Sequence, residues 1–232
     1  MAGIVIPGRL LNIVKFENTG TFTPSAETVS IVVEACGGGG AGGSAGAITS
    51  AGNSFIGGGG QAGAYAKSWF LLADIPNKNE IAIVIGAGAI SVPVEPGNSQ
   101  NVKGGTTSFG DLINCEGGNG AFSWLCTVYP YIIGNSSVKN SASGGNILNF
   151  GGSDGNDFFA LSSSIASSGV GACNPLSSSV LNRITIGVGA SATTEDNGYG
   201  AGGAGALSQG VTSQTFLGGS GSQGVVIIYE YS

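Results

Sequence analysis

The stretch Val29-Ser-Ile-Val-Val-Glu-Ala-Cys-Gly-Gly-Gly-Gly-Ala-Gly-Gly43 sets a strand pattern directly against a run of glycine. Ile31, Val33 and Ala35 alternate with their neighbours at the period of a half-buried strand. Glycine loses more backbone entropy on folding than any other residue and gives no side chain to a core. Because 41% of the 232 residues are apolar, we expect a folded chain whose 45 glycines serve close backbone approach or positive φ.

The same succession of strand and glycine recurs along the chain. Helix-period segments are almost absent, and further strands are predicted at residues 12–16, 65–72, 80–86, 106–109, 112–115, 183–188 and 225–231. We therefore predict an all-β fold: an antiparallel, jelly-roll-like β-sandwich with long glycine-rich loops. The glycine runs can form polyproline II-like segments, which make no internal hydrogen bonds and so need partners beside them.

The predicted organisation is one domain preceded by a short segment. Residues 1–16 form the N-terminal segment, and residues 17–232 form the glycine-rich β-sandwich domain. A Ser/Gly/Asn-rich stretch at about 135–182 is expected to be a long, irregular insertion on the sandwich.

The composition excludes two classes of partner. Only 9% of the residues are charged, and the seven basic residues are scattered singly, so no basic stripe exists to neutralise phosphates. Nucleic acid is therefore not expected as a partner. No apolar stretch approaches the ~18 to 20 residues that span a bilayer, so we expect no membrane insertion.

The four cysteines, Cys36, Cys115, Cys126 and Cys173, lack the close spacing of a zinc or redox site. The N-terminus lacks the basic region of a secretory signal, which favours reduced thiols over one or two disulfides.

A nucleotide site is not expected either. Gly37, Gly39 and Gly42 match the dinucleotide-binding fingerprint after a predicted strand, but no helical period follows to hold a pyrophosphate. The chain contains no histidine, which removes the commonest general base and the commonest metal ligand.

Two pairs of acidic residues are the remaining candidates for chemistry: Asp154 with Asp157, and Glu195 with Asp196. Both pairs are more typical of turns, although calcium binding by the first pair and a glycosidase-like carboxylate pair stay open. We expect no enzyme activity, no cofactor and no metal.

Aromatic residues are the candidates for recognition, because tyrosine and tryptophan can stack on sugar rings or contact a receptor protein. The alternative is that they fill the core or an oligomer interface. The candidates are Phe122, Trp124, Tyr129, Tyr131, Phe158 and Phe159.

The order of segments carries a resemblance. Residues 16–40 combine a Gly-Thr-Phe-Thr-Pro turn, an apolar strand and a glycine run. A second glycine run enters a strand at residues 57–67, a strand ends in Ile-Gly-Ala-Gly at residue 88, and residues 218–231 supply a closing strand. This series resembles the glycine-rich domains of bacteriophage tail-fibre and other virion-fibre proteins.

The resemblance implies a structural virion protein that docks to other virion proteins through its N-terminal segment, with Ile4, Ile6, Leu10 and Leu11 as the anchor. A tail-fibre or tip component would attach to a host-surface polysaccharide or an outer-membrane receptor; the alternative is a capsid or collar decoration protein, or head-fibre protein, with an architectural role. We also expect a homotrimer, because residues 29–35 and 225–231 are long, apolar, edge-capable strands that need covering.

Overall fold

The computed structural model describes residues 8–93, 99–100, 102–133, 138–179, 184–185 and 198–232. These residues form antiparallel strands and one 3-10 turn at Leu72–Asp74, with no α-helix among them, which confirms the all-β class. None of the described segments is a helix long and apolar enough to cross a membrane. The strands are β1 (Leu10–Phe16), β2 (Gly20–Phe22), β3 (Ser30–Cys36), β4 (Ser54–Gly57), β5 (Tyr65–Leu71), β6 (Ile81–Val84), β7 (Ser99–Gln100), β8 (Thr107–Phe109), β9 (Ile113–Cys115), β10 (Phe122–Cys126), β11 (Tyr131–Ile133), β12 (Ala142–Ser143), β13 (Leu148–Phe150), β14 (Phe158–Ser162), β15 (Ile165–Ser167), β16 (Ile184–Thr185), β17 (Leu207–Gln209) and β18 (Val225–Tyr231).

Two sheets that include the first and last strands pack face to face, and we call this unit the terminal sandwich. The strand orders are β1-β18-β3-β5-β13 and β12-β9-β8-β6-β2. Ile31, Val33 and Ala35 of β3 lie fully buried in the core between the sheets, as their alternation predicts. Strand β1 covers the second half of the segment assigned to the anchor, so Leu10 and Leu11 belong to the sheet, while Ile4 and Ile6 lie outside the described residues.

The two strands expected at the edges of this sheet, residues 29–35 and 225–231, lie in its interior. Strand β18 pairs with β1 and β3, and β3 pairs with β5, so both apolar strands are interior strands covered within one chain. The edge positions fall to β1 and β13. Because β3 and β18 are covered within one chain, their edges give no reason to expect a homotrimer.

A second pair of sheets packs at the opposite end of the molecule, and we call it the loop sandwich. Its strand orders are β17-β4-β10-β7 and β11-β14-β15-β16. The core between these sheets is built from Ile56, Cys126, Phe158, Ala160, Ala166 and Leu207.

The glycine runs form a third unit between the two sandwiches, which we call the glycine array. Segment 37–43 leaves β3 of the terminal sandwich, and segment 57–64 returns from β4 of the loop sandwich to β5. The array consists of extended segments that are hydrogen-bonded side by side: residues 37–43, 57–64, 86–89, 102–105, 116–121, 152–156, 168–172, 200–206 and 218–224.

Within segment 37–43 the hydrogen-bond partner changes at each residue and repeats every third residue. Amides 37, 40 and 43 donate to segment 57–64, amides 38 and 41 to segment 102–105, and amides 39 and 42 to segment 218–224, at 2.8 to 3.0 Å. Its carbonyl oxygens accept from three further segments, 86–89, 116–121 and 200–206. A three-residue repeat with every bond made to a neighbour is the property of a polyproline II helix, in agreement with the sequence prediction.

The spacing between these segments requires glycine. A Cβ added at Gly39 would lie 1.8 Å from the carbonyl oxygen of Ala201, and one at Gly42 would lie 1.9 Å from that of Ala204. Both obstacles are backbone atoms of a neighbouring segment, which cannot rotate away as a side chain can. Ala41, within the same segment, is accommodated and fully buried.

Buried side-chain amides tie the Ser/Gly/Asn-rich stretch to the array. Asn140 donates through Nδ2 to the carbonyl oxygen of Ala62 at 2.9 Å and accepts at Oδ1 from the amide of Gly152 at 2.8 Å. Asn174 donates through Nδ2 to the carbonyl oxygen of Gly63 at 3.3 Å. The stretch expected to be an irregular insertion is thus part of the fold, and it supplies strands β12 to β15 and array segments 152–156 and 168–172.

The cysteines are free thiols. Burial raises the pKa of Cys36 and Cys115 to about 12 and that of Cys126 to about 11. Cys173 is partly exposed.

We expect Gly39→Ala to lower the free energy of unfolding by about 3 kcal/mol, because the added Cβ overpacks backbone that cannot move aside. Gly20→Ala is the control: its Cβ would meet the Phe16 ring at 3.5 Å and the carbonyl oxygen of Asn18 at 4.0 Å, both ordinary contacts, so its effect should stay within about 0.5 kcal/mol. Urea unfolding of both variants measures the difference. Equal midpoints for the two variants would contradict the close-packed array.

We expect Ellman's reagent at pH 8 to titrate one thiol, Cys173, in the native protein and four in guanidinium chloride. The thiolate is the reactive form, and a raised pKa and burial both suppress it at the other three positions. Fewer than four thiols after unfolding would show a disulfide and contradict the structure.

Candidate binding surface at the loop end

Four loops converge at the end of the loop sandwich that points away from the array. Ser54 of β4 pairs with Cys126 of β10 and with Gln209 of β17, so the three connections at these strand ends emerge side by side. The β14–β15 hairpin joins them, since Ser54 Oγ donates to the carbonyl oxygen of Ser163 at 3.5 Å. We call this face of the molecule the loop end.

An open groove of about 430 Å³ lies among these loops, and we call it the loop groove. The chain turns at the rim of the groove at Gly52 and Gly210. Their φ angles of +95° and +70° lie in a backbone region that favours glycine. Ile48 and Thr212 hold two of the loops together, because each amide donates to the other residue's carbonyl oxygen at 2.9 to 3.0 Å. The groove is lined by Ala51, Gly52, Ser163, Ser164, Gln209, Gly210, Val211 and Thr212.

Tyr129 fastens the connection after β10 to its neighbours in this group. Its hydroxyl donates to the carbonyl oxygen of Cys126, at 3.2 Å, and lies 3.0 Å from Ser54 Oγ. Burial raises the pKa of Tyr129, so the side chain is neutral at physiological pH. The neighbouring Val128 is 70% exposed at the loop tip.

The structure brings other candidate aromatics together at the margin of the loop-sandwich core. Trp124 and Tyr131 stack with ring centroids 6.3 Å apart and an interplanar angle of 9°. Both are partly buried and pack against the core between the two sheets. Phe122 is two residues before Trp124 on the same face of β10 and is also partly buried. The alternative interpretation, core packing, therefore accounts for the buried surface of Trp124 and Tyr131.

Phe158 and Phe159 have different environments, and Phe158 is a correction to the predicted site. Its side chain is 1% exposed and belongs to the loop-sandwich core, so it cannot contact a partner. Phe159 points to the opposite face of β14 and is 38% exposed. It shares an exposed apolar face with Ile132, Leu161 and Ile165.

Charge is unevenly distributed along the molecule. The loops and strands of the loop sandwich that fall within residues 44–57, 122–133, 156–167 and 206–217 carry one charged residue, Asp157. In the described chain the other charges lie on the terminal sandwich and the array, among them the Lys67–Glu34 ion pair at 2.9 Å. Within these described ranges the loop end is therefore an apolar and hydroxyl-bearing surface almost free of charge.

Of the two predicted acidic pairs, the described structure contains Asp154 and Asp157. Asp154 accepts a hydrogen bond at 2.8 Å from Nε2 of Gln61, a side chain buried in the array. Glu195 and Asp196 lie outside the described residues. Within the ranges that the structure covers, no three His, Cys, Asp or Glu side chains are close enough to hold a metal ion together.

Sequence reasoning missed the loop groove. Ala51, Ser163, Ser164, Val211 and Thr212 are small residues from separate loops, and no motif connects them. The signal that was available is the absence of charge, which recurs in each stretch that ends at this surface.

Comparison with known proteins identifies the domain. The family model described as a glycine-rich domain matches residues 16–231, which span both sandwiches and the array. No curated protein matches the chain.

The contrast between the two phenylalanines can be tested directly. We expect Phe158→Ala to lower the free energy of unfolding by about 3 to 5 kcal/mol, because it leaves a cavity in the loop-sandwich core. Phe159→Ala, the matched control on the neighbouring residue, should change it by less than about 1 kcal/mol. Thermal unfolding of the purified variants measures both, and similar losses would contradict the two placements.

Proposed function

We propose that this chain, which belongs to the glycine-rich domain family, is a structural virion protein. It would be a phage tail-fibre or tip component, without enzymatic activity, that attaches the particle to the host surface. Its terminal sandwich faces the particle, where the segment before β1 docks to other virion proteins. Its loop end faces outwards and contacts the host.

The observation that carries this proposal is the difference between the two ends of the molecule. The first and last strands pair with each other in the terminal sandwich, so both neighbouring chain ends leave from the same side. The loop end lies across the array and holds the groove, the exposed valines and almost no charge. A seven-residue polyproline II segment spans about 22 Å, which keeps a docking end and a contacting end well apart.

The array suits an attachment protein mechanically. A force applied at the loop end passes through parallel and antiparallel segments that are bonded to several neighbours each. No single segment can slide without breaking bonds in more than one direction. The loops can therefore contact a surface without being displaced relative to the terminal sandwich.

A second candidate function is a capsid or collar decoration protein, or head-fibre protein, with an architectural role. The outer face of the sheet β1-β18-β3-β5-β13 favours it, because Ile13, Leu148 and Phe150 are exposed there. Tyr229 and Tyr231 line a shallow depression on the same face. Apolar and aromatic residues are enriched at the centre of protein interfaces, and lateral contacts in a homotrimer or on a capsid would cover them together with the Lys67–Glu34 ion pair that lines the same depression.

Two exposed valines allow the proposal to be tested at each end of the molecule. Val211 at the loop end is 66% exposed, and Val29 at the terminal sandwich is 52% exposed. We expect Val211→Glu to reduce adsorption of the purified, fluorescently labelled protein to host cells at least tenfold, because a charge would be desolvated in an uncharged contact. Val29→Glu, the matched control, should adsorb as the unmodified protein does.

The same preparation distinguishes the two candidate functions. An attachment protein competes with phage for adsorption, and antibody labelling in electron microscopy places it at the distal end of the tail. Absence of adsorption by the unmodified protein, together with labelling over the capsid or collar, would support decoration instead.

A further inference from the structure

The chemistry of the loop groove is that of a site for hydroxyl groups. Ser163, Ser164 and Thr212 contribute hydroxyls and Gln209 contributes an amide, while Ala51 and Val211 contribute small apolar surfaces. Neutral donors and acceptors beside apolar patches match sugar rings, whose hydroxyls form hydrogen bonds and whose C–H faces pack on apolar side chains. None of the groove-lining side chains carries a charge.

The shape of the groove admits a polymer. Its volume of about 430 Å³ falls within the range of small-molecule sites. At Gly52 and Gly210, a Cβ would meet nothing within 4 Å, so the rim is open on both loops. A glycan chain can therefore lie in the groove and continue beyond it.

The distribution of charge selects among glycans. An acidic polysaccharide would need cationic partners, and the basic residues of the described chain, Arg9, Lys15, Lys67, Lys78, Lys103 and Lys139, lie on the terminal sandwich, on the array or beside it. The one charged residue within the loop-sandwich ranges given above is Asp157, which would repel an anion. The apolar face of β14 would suit a protein partner, but the groove is concave and sets the hydroxyls of Ser163, Ser164 and Thr212 in a mainly apolar lining, which favours a sugar.

We propose that the loop groove binds an uncharged, hydroxyl-rich glycan of the host surface. The inference rests on the proposed attachment function and names the class of receptor. Because the contact contains no ion pair, binding is insensitive to ionic strength, unlike recognition through charged side chains.

The receptor class is tested on host cells with the labelled full-length chain. We expect periodate, which cleaves vicinal diols of sugars, to abolish adsorption, and we expect proteinase K treatment of the cells to leave it unchanged. Raising NaCl from 20 to 500 mM should change adsorption less than about twofold. Loss of adsorption after proteinase K, persistence after periodate, or a tenfold change with salt would overturn the inference while leaving the attachment function intact.

The site itself is tested by variants of loop residues, Ala51 exposed and Thr212 partly buried. Thr212→Val removes a groove hydroxyl at nearly constant shape, together with the hydrogen bond that Oγ1 accepts from the Gln214 amide at 3.1 Å, and we expect about fivefold to tenfold weaker adsorption. Ala51→Leu fills the groove and should weaken adsorption at least tenfold. Ala26→Leu is the control, because Ala26 is likewise exposed in a turn but belongs to the terminal sandwich; it should adsorb as the unmodified protein does.

The outcomes separate the two hypotheses. If Ala51→Leu and Thr212→Val adsorb normally, the groove is not the receptor site and the inference fails. If the unmodified protein does not adsorb to host cells under any condition, the proposed attachment function fails, and the inference fails with it.

Discussion

The hydrogen bonds between neighbouring backbone segments of the glycine array are the interaction on which the rest of the structure depends. A polyproline II segment satisfies none of its own amides or carbonyls, so each segment folds only when its neighbours are present. Segment 37–43 bonds to six others, and a Cβ at most of its positions would overlap a neighbour's backbone. The high glycine content is therefore a packing requirement, met despite the entropy that each glycine loses on folding.

This constraint determines where sequence can vary. The array admits side chains only at particular positions, such as Ala41 or the buried Gln61, whose amide is fully engaged with Asn119 and Asp154. Strands of the two sandwiches must keep their alternating apolar residues. The loops of the loop end, at residues 49–53, 127–130, 163–164 and 210–215, lie across the loop sandwich from the array, so their residues can change with the least effect on the array and the terminal core. A scaffold of fixed backbone with free loop tips is well suited to recognition, because binding residues concentrate on loops that a rigid framework positions.

Local sequence patterns predict where the strands of this fold lie, but not which strands pair with each other. Alternation identifies β3, β5 and β18 almost to the residue, because period-2 burial is visible in the sequence. It does not reveal that β18 inserts between β1 and β3, a pairing of opposite chain ends, and so the edge positions are wrong. The polyproline II prediction agrees with the structure, yet a glycine run carries no side-chain pattern to say which segments lie beside it. Phe158 and Phe159 differ by one residue and lie on opposite faces of β14, which only the register of the strand decides; for the same reason the groove could not be predicted.

The uncharged loop end needs an explanation because it works against solubility. Exposed loops are where charged residues normally collect, and a chain with 9% charged residues has few to spare for keeping its copies apart. Those it has lie mostly at the terminal sandwich and array, while Val128 and Val211 occupy loop tips where a polar residue would fold equally well. Folding therefore does not account for the pattern, because none of these side chains supports a core. A surface that must make close contact with a neutral partner does account for it, since each charge there would have to shed its water on binding without a counter-charge to replace it.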